Sequence, residues 1–84
     1  MYSVEYSRAA LRTLIRIPRP ARELIRAKVD AMALAPTESQ HVKALVGRQG
    51  YRLRVGDWRV IFDIDTGRVV VRVLQIGSRG GVYR

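Results

Sequence analysis

The sequence predicts an α+β fold: two N-terminal helices packed on a small antiparallel sheet of four to five strands. Three observations carry this. A stretch of helical periodicity runs from Ser7 to Ala35 and is interrupted at Pro18 and Pro20. From Tyr51 the period becomes two, with apolar and polar residues alternating. Two turn signals, Gly56-Asp57 and Asp65-Thr66-Gly67-Arg68, divide this second half into a meander.

Tyr2 to Tyr6 alternates and reads as a short first strand. Ser7 has the side chain of a helix N-cap. Ala9, Ala10, Leu11, Leu14 and Ile15 recur at helical spacing, which gives a first helix from about Ser7 to Arg16. Pro20 suits the first turn of a second helix. Leu24, Ile25, Val29, Met32 and Ala33 carry that helix to about Ala35, and Pro36 ends it. Its apolar stripe requires a sheet to cover. After the polar loop Thr37 to His41, Val42-Lys43-Ala44-Leu45-Val46 is a plausible second strand, and Gly47 to Gly50 a turn.

The run Tyr51-Arg52-Leu53-Arg54-Val55-Gly56-Asp57-Trp58-Arg59-Val60-Ile61-Phe62 alternates apolar residues with arginines on both sides of Gly56-Asp57. With those two residues as the loop, Val55 pairs with Trp58 and Arg54 with Arg59. Two arginines then face each other, an arrangement that destabilises a sheet unless an anion belongs between them. For the second hairpin a Thr66-Gly67 loop pairs Asp65 with Arg68. Tyr51, Leu53, Val55, Trp58, Val60, Phe62, Ile64, Val69, Val71, Val73 and Gln75 then share the helix-facing side. Arg52, Arg54, Arg59, Ile61, Asp63, Val70, Arg72 and Leu74 share the other. That outward face carries four arginines.

Composition narrows the function classes. The chain has sixteen Lys and Arg against seven Asp and Glu, a formal net charge of +9. Fourteen of the sixteen cations are arginine, which favours forked contacts to phosphate. Solubility alone is the bland reading, and nucleic acid or another acidic partner the sharper one. With no cysteine, a disulfide framework and a thiolate zinc site are excluded. One histidine, His41, in a polar loop, cannot make a metal site and reads as a surface residue. Neither a metal nor another cofactor is expected. No apolar run approaches transmembrane length, and the first six residues lack a signal-peptide pattern. A single cytoplasmic domain spanning residues 1–84, without a membrane partner, is the expectation.

The run from Gly47 to Phe62 resembles the signature of RelE/ParE-type toxins of bacterial type II toxin–antitoxin systems. The ending Val73-Leu74-Gln75-Ile76-Gly77-Ser78-Arg79-Gly80-Gly81-Val82-Tyr83-Arg84 resembles the C-terminus of the RelE branch. The resemblance implies a RelE-like, microbial-RNase-type fold. It further implies an endoribonuclease (an mRNA interferase) that cuts codons in the ribosomal decoding site, by metal-independent attack of a ribose 2′-hydroxyl on the adjacent phosphate. On this resemblance the catalytic residues are Arg52, Arg54, Arg59, Arg79 and Tyr83. Arg48, Arg72 and Arg84 are candidate RNA contacts. The implied partners are an acidic, helical antitoxin, the ribosome with its messenger, and promoter DNA only as a toxin–antitoxin complex.

Such chemistry needs a base for the 2′-hydroxyl, charge stabilisation at phosphorus, and an acid for the leaving oxygen. Arg54, Arg59 and Arg79 suit the second task. Tyr83 suits stacking on a base or holding the 2′-hydroxyl. The base is open: both strand positions are arginine, which hardly releases a proton, and Ser78 stands where many relatives place histidine or lysine. Tyr83, a ribosomal group, slow cutting and lost cutting all stay possible. Arg52 and Arg54 could also be an ordinary solvated strand face, and Arg79 and Tyr83 a frayed tail. Two further readings compete: a ParE-like binder that poisons DNA gyrase, and a degenerate basic module that acts only with its antitoxin.

Overall fold

The computed structural model describes residues 1–78. Its elements are β1 (Ser3–Tyr6), α1 (Arg8–Leu14), α2 (Arg19–Met32), β2 (Val42–Ala44), β3 (Tyr51–Val55), β4 (Trp58–Asp65) and β5 (Val70–Ser78). The five strands form one sheet in the order β1-β5-β4-β3-β2. β2 to β5 pair antiparallel, whereas β1 joins β5 in parallel, so the sheet is mixed rather than purely antiparallel. The helical crossover makes this possible, because it returns the chain to the far side of the meander.

Ser7 begins α1 as its sequence suggests. Its Oγ accepts the Ala10 amide at 3.0 Å and donates to the Leu74 carbonyl at 2.8 Å. One hydroxyl thus caps a helix and ties it to β5. Pro20 lies in the first turn of α2, where its missing N–H costs nothing. α2 ends three residues before the expected Ala35. It buries Ile25, Val29 and Met32, spaced four and three apart, against the sheet. The core they join contains Ala10, Leu14, Ile17, Leu53, Val55, Val60, Phe62, Val71, Val73 and Ile76. Trp58 packs at its margin. Tyr51 stacks on Phe62 with ring centroids 5.5 Å apart.

The first hairpin has the expected register, with Val55 opposite Trp58 and Arg54 opposite Arg59. Gly56 supplies the positive φ, +58°, that the first position of such a loop needs. The second hairpin corrects the expected pairing. Asp65 lies opposite Val70, not Arg68, and the loop holds four residues, Thr66 to Val69. The reason is local: the Asp65 carboxylate accepts the Arg68 amide at 3.0 Å, so Arg68 closes a turn and leaves the ladder. Val69 sits in that loop, exposed, at φ +57°. The slip is by two residues, so Val71 and Val73 keep their inward facing.

A bulge then adds a second correction. Phe62 lies opposite Val73 but Ile61 opposite Gln75, which leaves Leu74 as the extra residue. Its carbonyl is the one that receives the Ser7 hydroxyl. Beyond the bulge the facing of β5 reverses. Ile76 turns into the core, and Gln75 moves from the expected apolar side to the outward face.

Candidate nucleic-acid interface

The outward face of the sheet is divided electrically, and register shows how. Across β1, β5 and β4, Glu5, Arg72 and Asp63 form one row. Arg72 holds Asp63 through two hydrogen bonds, 2.8 and 2.9 Å, and Arg68 reaches Glu5 at 2.9 Å. The Asp63 carboxylate, first by hydrogen bonding and then by its charge, raises the Arg72 pKa above its already high ordinary value. This end of the face is close to neutral, so the fourth arginine of the expected patch is engaged with a carboxylate.

The other end is cationic. Arg52 lies between Lys43 of β2 and Ile61 of β4, and Ile61 is followed by Gln75. In the neighbouring row Arg54 lies opposite Arg59, which is followed by Gly77. The Arg54 amide donates to the His41 carbonyl at 3.0 Å, which brings His41 to the outer end of this row. That amide points towards β2, so Arg54 and Arg59 form a pair not bridged by mutual hydrogen bonds. Such pairs have the closer spacing, with Cα atoms about 4.5 Å apart. Among the described residues the ion pairs are Arg68–Glu5 and Arg72–Asp63, and neither includes Arg52, Arg54 or Arg59.

Each of these arginines is held differently. Arg54 is exposed. Arg59 folds back, donating through Nη1 to the Gly56 carbonyl at 3.3 Å and the Trp58 carbonyl at 3.2 Å. Arg52 is half-buried, and its Nε is buried without a hydrogen-bond partner among the described residues. Beneath them Ile61 is 1% exposed, although it points away from the helical core. An apolar floor under cations weakens solvent screening and strengthens their pull on a phosphate. Arg48 stands in the loop before β3. It lines a groove of about 470 Å³ with Tyr51, Asp63 and Arg72, and a cleft of about 280 Å³ with Lys43 and Arg52.

Of the residues singled out from sequence, Arg48, Arg52, Arg54 and Arg59 are therefore brought to one region. Arg72 lies on the same face but in the neutralised zone. Arg79, Tyr83 and Arg84 lie outside the described residues. Sequence reasoning missed Lys43 as part of this face. Parity offered the signal: once Val42 is placed inward opposite Leu53, Lys43 must face outward opposite Arg52.

A small helix-backed mixed sheet with clustered arginines on its outward face defines a class of compact basic proteins. The comparisons specify the class further. Residues 4–83 match the family described as ParE toxin of the type II toxin–antitoxin system parDE, and the chain belongs to that family, within the RelE/ParE superfamily. None of the curated proteins matches it. Its fold is that of RelE toxins. The isolated E. coli RelE toxin superposes with a TM-score of 0.82 at 19% identity, over 99% of this chain and 89% of that one. RelE in the intact E. coli RelBE toxin–antitoxin complex gives 0.81 at 20% identity, over 93% and 96%. The archaeal RelE–RelB complex from Pyrococcus horikoshii gives 0.77 at 22% identity, over 96% and 98%.

Proposed function

We propose that this toxin is a ribosome-dependent mRNA endonuclease. The observation that carries the reading is the pair of arginine rows, Arg52 and Arg54–Arg59, without carboxylate partners among the described residues, on a sheet face whose other half is neutralised. Keeping like charges in register weakens the sheet, so the arrangement has a use only when an anion lies between them. A phosphodiester fits that requirement. Arg54 and Arg59 grip its non-bridging oxygens through two donors each and stabilise the charge that builds at phosphorus during 2′-hydroxyl attack. Arg52, half-buried in the adjoining row, adds its guanidinium charge to theirs. Arg79 and Tyr83 complete the site in this reading, with Arg84 as an RNA contact. The substrate is the codon in the decoding site, and no metal takes part.

An acidic, helical antitoxin is the partner proposed for this chain, as the RelE chains of the comparison complexes are paired with RelB. It neutralises the same cationic rows, and promoter DNA is bound only by the pair. Expression with and without that partner, followed by mapping of messenger 5′ ends, tests the reading. Codon-phased ends that disappear in Arg59→Ala are expected; growth arrest with intact messengers would overturn it.

One observation favours a second reading. The matching family is described as ParE toxin, and the ParE-like alternative raised by the sequence resemblance takes DNA gyrase rather than messengers as its target. Gyrase-dependent DNA breaks with uncut transcripts are its signature.

A further inference from the structure

We infer that the edge strand β2 supplies a second phosphate subsite, in which Lys43 receives the backbone phosphate adjoining the one held by Arg54 and Arg59. The inference rests on the RNA reading above and adds to it the direction in which the strand leaves the site. Lys43 lies directly opposite Arg52, and the two side chains line one cleft of about 280 Å³ with Arg48. Two cations thus converge there from neighbouring strands and a third from the loop. The remaining wall is apolar: Leu45 and, at the loop tip, Val46, which is 98% exposed. A cleft with cations on one side and exposed aliphatic carbon on the other suits one nucleotide, phosphate inward and base against the loop.

Spacing supports the assignment. Arg52 and Arg54 are two residues apart on β3, so their rows are about 6.6 Å apart. That is comparable with the separation of consecutive phosphates along an extended nucleic-acid strand. One phosphate in the Arg54–Arg59 row places its neighbour in the Lys43–Arg52 row. Arg52 itself belongs to the second row, opposite Lys43. Lys43 is exposed and its strand is only three residues long, so replacing it removes a charge without opening the core.

The test is the salt dependence of binding of a short single-stranded RNA to the purified toxin, wild type against Lys43→Gln, Lys43→Arg and Arg59→Gln. Each phosphate contact adds roughly −0.7 to the log–log slope for single strands. Lys43→Gln is expected to make the slope shallower by about 0.7, Lys43→Arg to restore it, and Arg59→Gln to reduce it independently. An unchanged slope in Lys43→Gln, with a reduced one in Arg59→Gln, would overturn the subsite and leave the RNA reading standing. Slopes unchanged in all three variants would overturn both.

Discussion

The repulsion between Arg54 and Arg59 should be measurable in the folded protein without any substrate. The two residues are directly opposite in a closely spaced pair, and no described carboxylate offsets them. Two unit charges about 7 Å apart in water-like surroundings repel by roughly 0.6 kcal/mol, and the apolar floor at Ile61 raises this somewhat for the arginine pair. Cross-strand pairs of like charge fall in the same range, about 0.2–1 kcal/mol. A double-mutant cycle of Arg54→Gln and Arg59→Gln, read by urea unfolding, isolates the pair from the general effect of net charge. At low salt the cycle should return a repulsive coupling of about 0.5–1 kcal/mol. By roughly 0.5 M salt, screening should bring it close to zero. Arg59→Gln alone also loses the hydrogen bonds to Gly56 and Trp58, which enter the single variant and cancel in the cycle. A coupling of zero at low salt, or a favourable one, would refute the idea that the fold gives up stability to keep this pair.

Three other expectations concern neighbouring features. The Tyr6 hydroxyl is buried without a partner among the described residues, and burial first, then the Asp30 charge, raises its pKa above the ordinary phenol value near 10. Tyr6→Phe should therefore raise stability by about 1 kcal/mol, seen as a Tm higher by roughly 4–8 °C. Because the folded state holds this proton more tightly, the wild type should lose stability as pH rises from about 10 through the raised pKa, and Tyr6→Phe should lack that loss. Val69 occupies the left-handed region at φ +57°, which a β-branched residue tolerates poorly, so Val69→Asn should increase the urea midpoint by the equivalent of about 1 kcal/mol with the m-value unchanged. Asp63→Ala releases Arg72 from its two hydrogen bonds, and RNA binding should tighten with a salt slope steeper by about 0.7.

The sequence made the first hairpin legible because its determinants are local. Gly56 and Asp57 fix a two-residue loop, and the loop fixes every pairing from Val55–Trp58 to Tyr51–Phe62. The three arginines of the candidate site followed from that register. The second hairpin was less legible because an aspartate side chain decides its loop. Asp65 captures the Arg68 amide, a competition between side chain and ladder that alternation does not reveal. The bulge at Leu74 was hidden for a different reason. It is stabilised by Ser7, sixty-seven residues away in the chain, and the pattern Val73-Leu74-Gln75-Ile76 reads equally well without it. The parallel pairing of β1 and the outward position of Lys43 both depend on long-range docking of short edge strands. Strands of three or four residues carry too few apolar positions to fix their own partners.

The decisive comparison is between purified toxin acting on ribosomes programmed with a defined messenger and the same toxin acting on DNA gyrase with supercoiled DNA. Cleavage of the decoding-site codon by the wild type, its loss in Arg59→Ala, and undisturbed gyrase are the expected results. Trapped gyrase–DNA breaks with an intact messenger would contradict the assignment and make the arginine face a protein-docking surface.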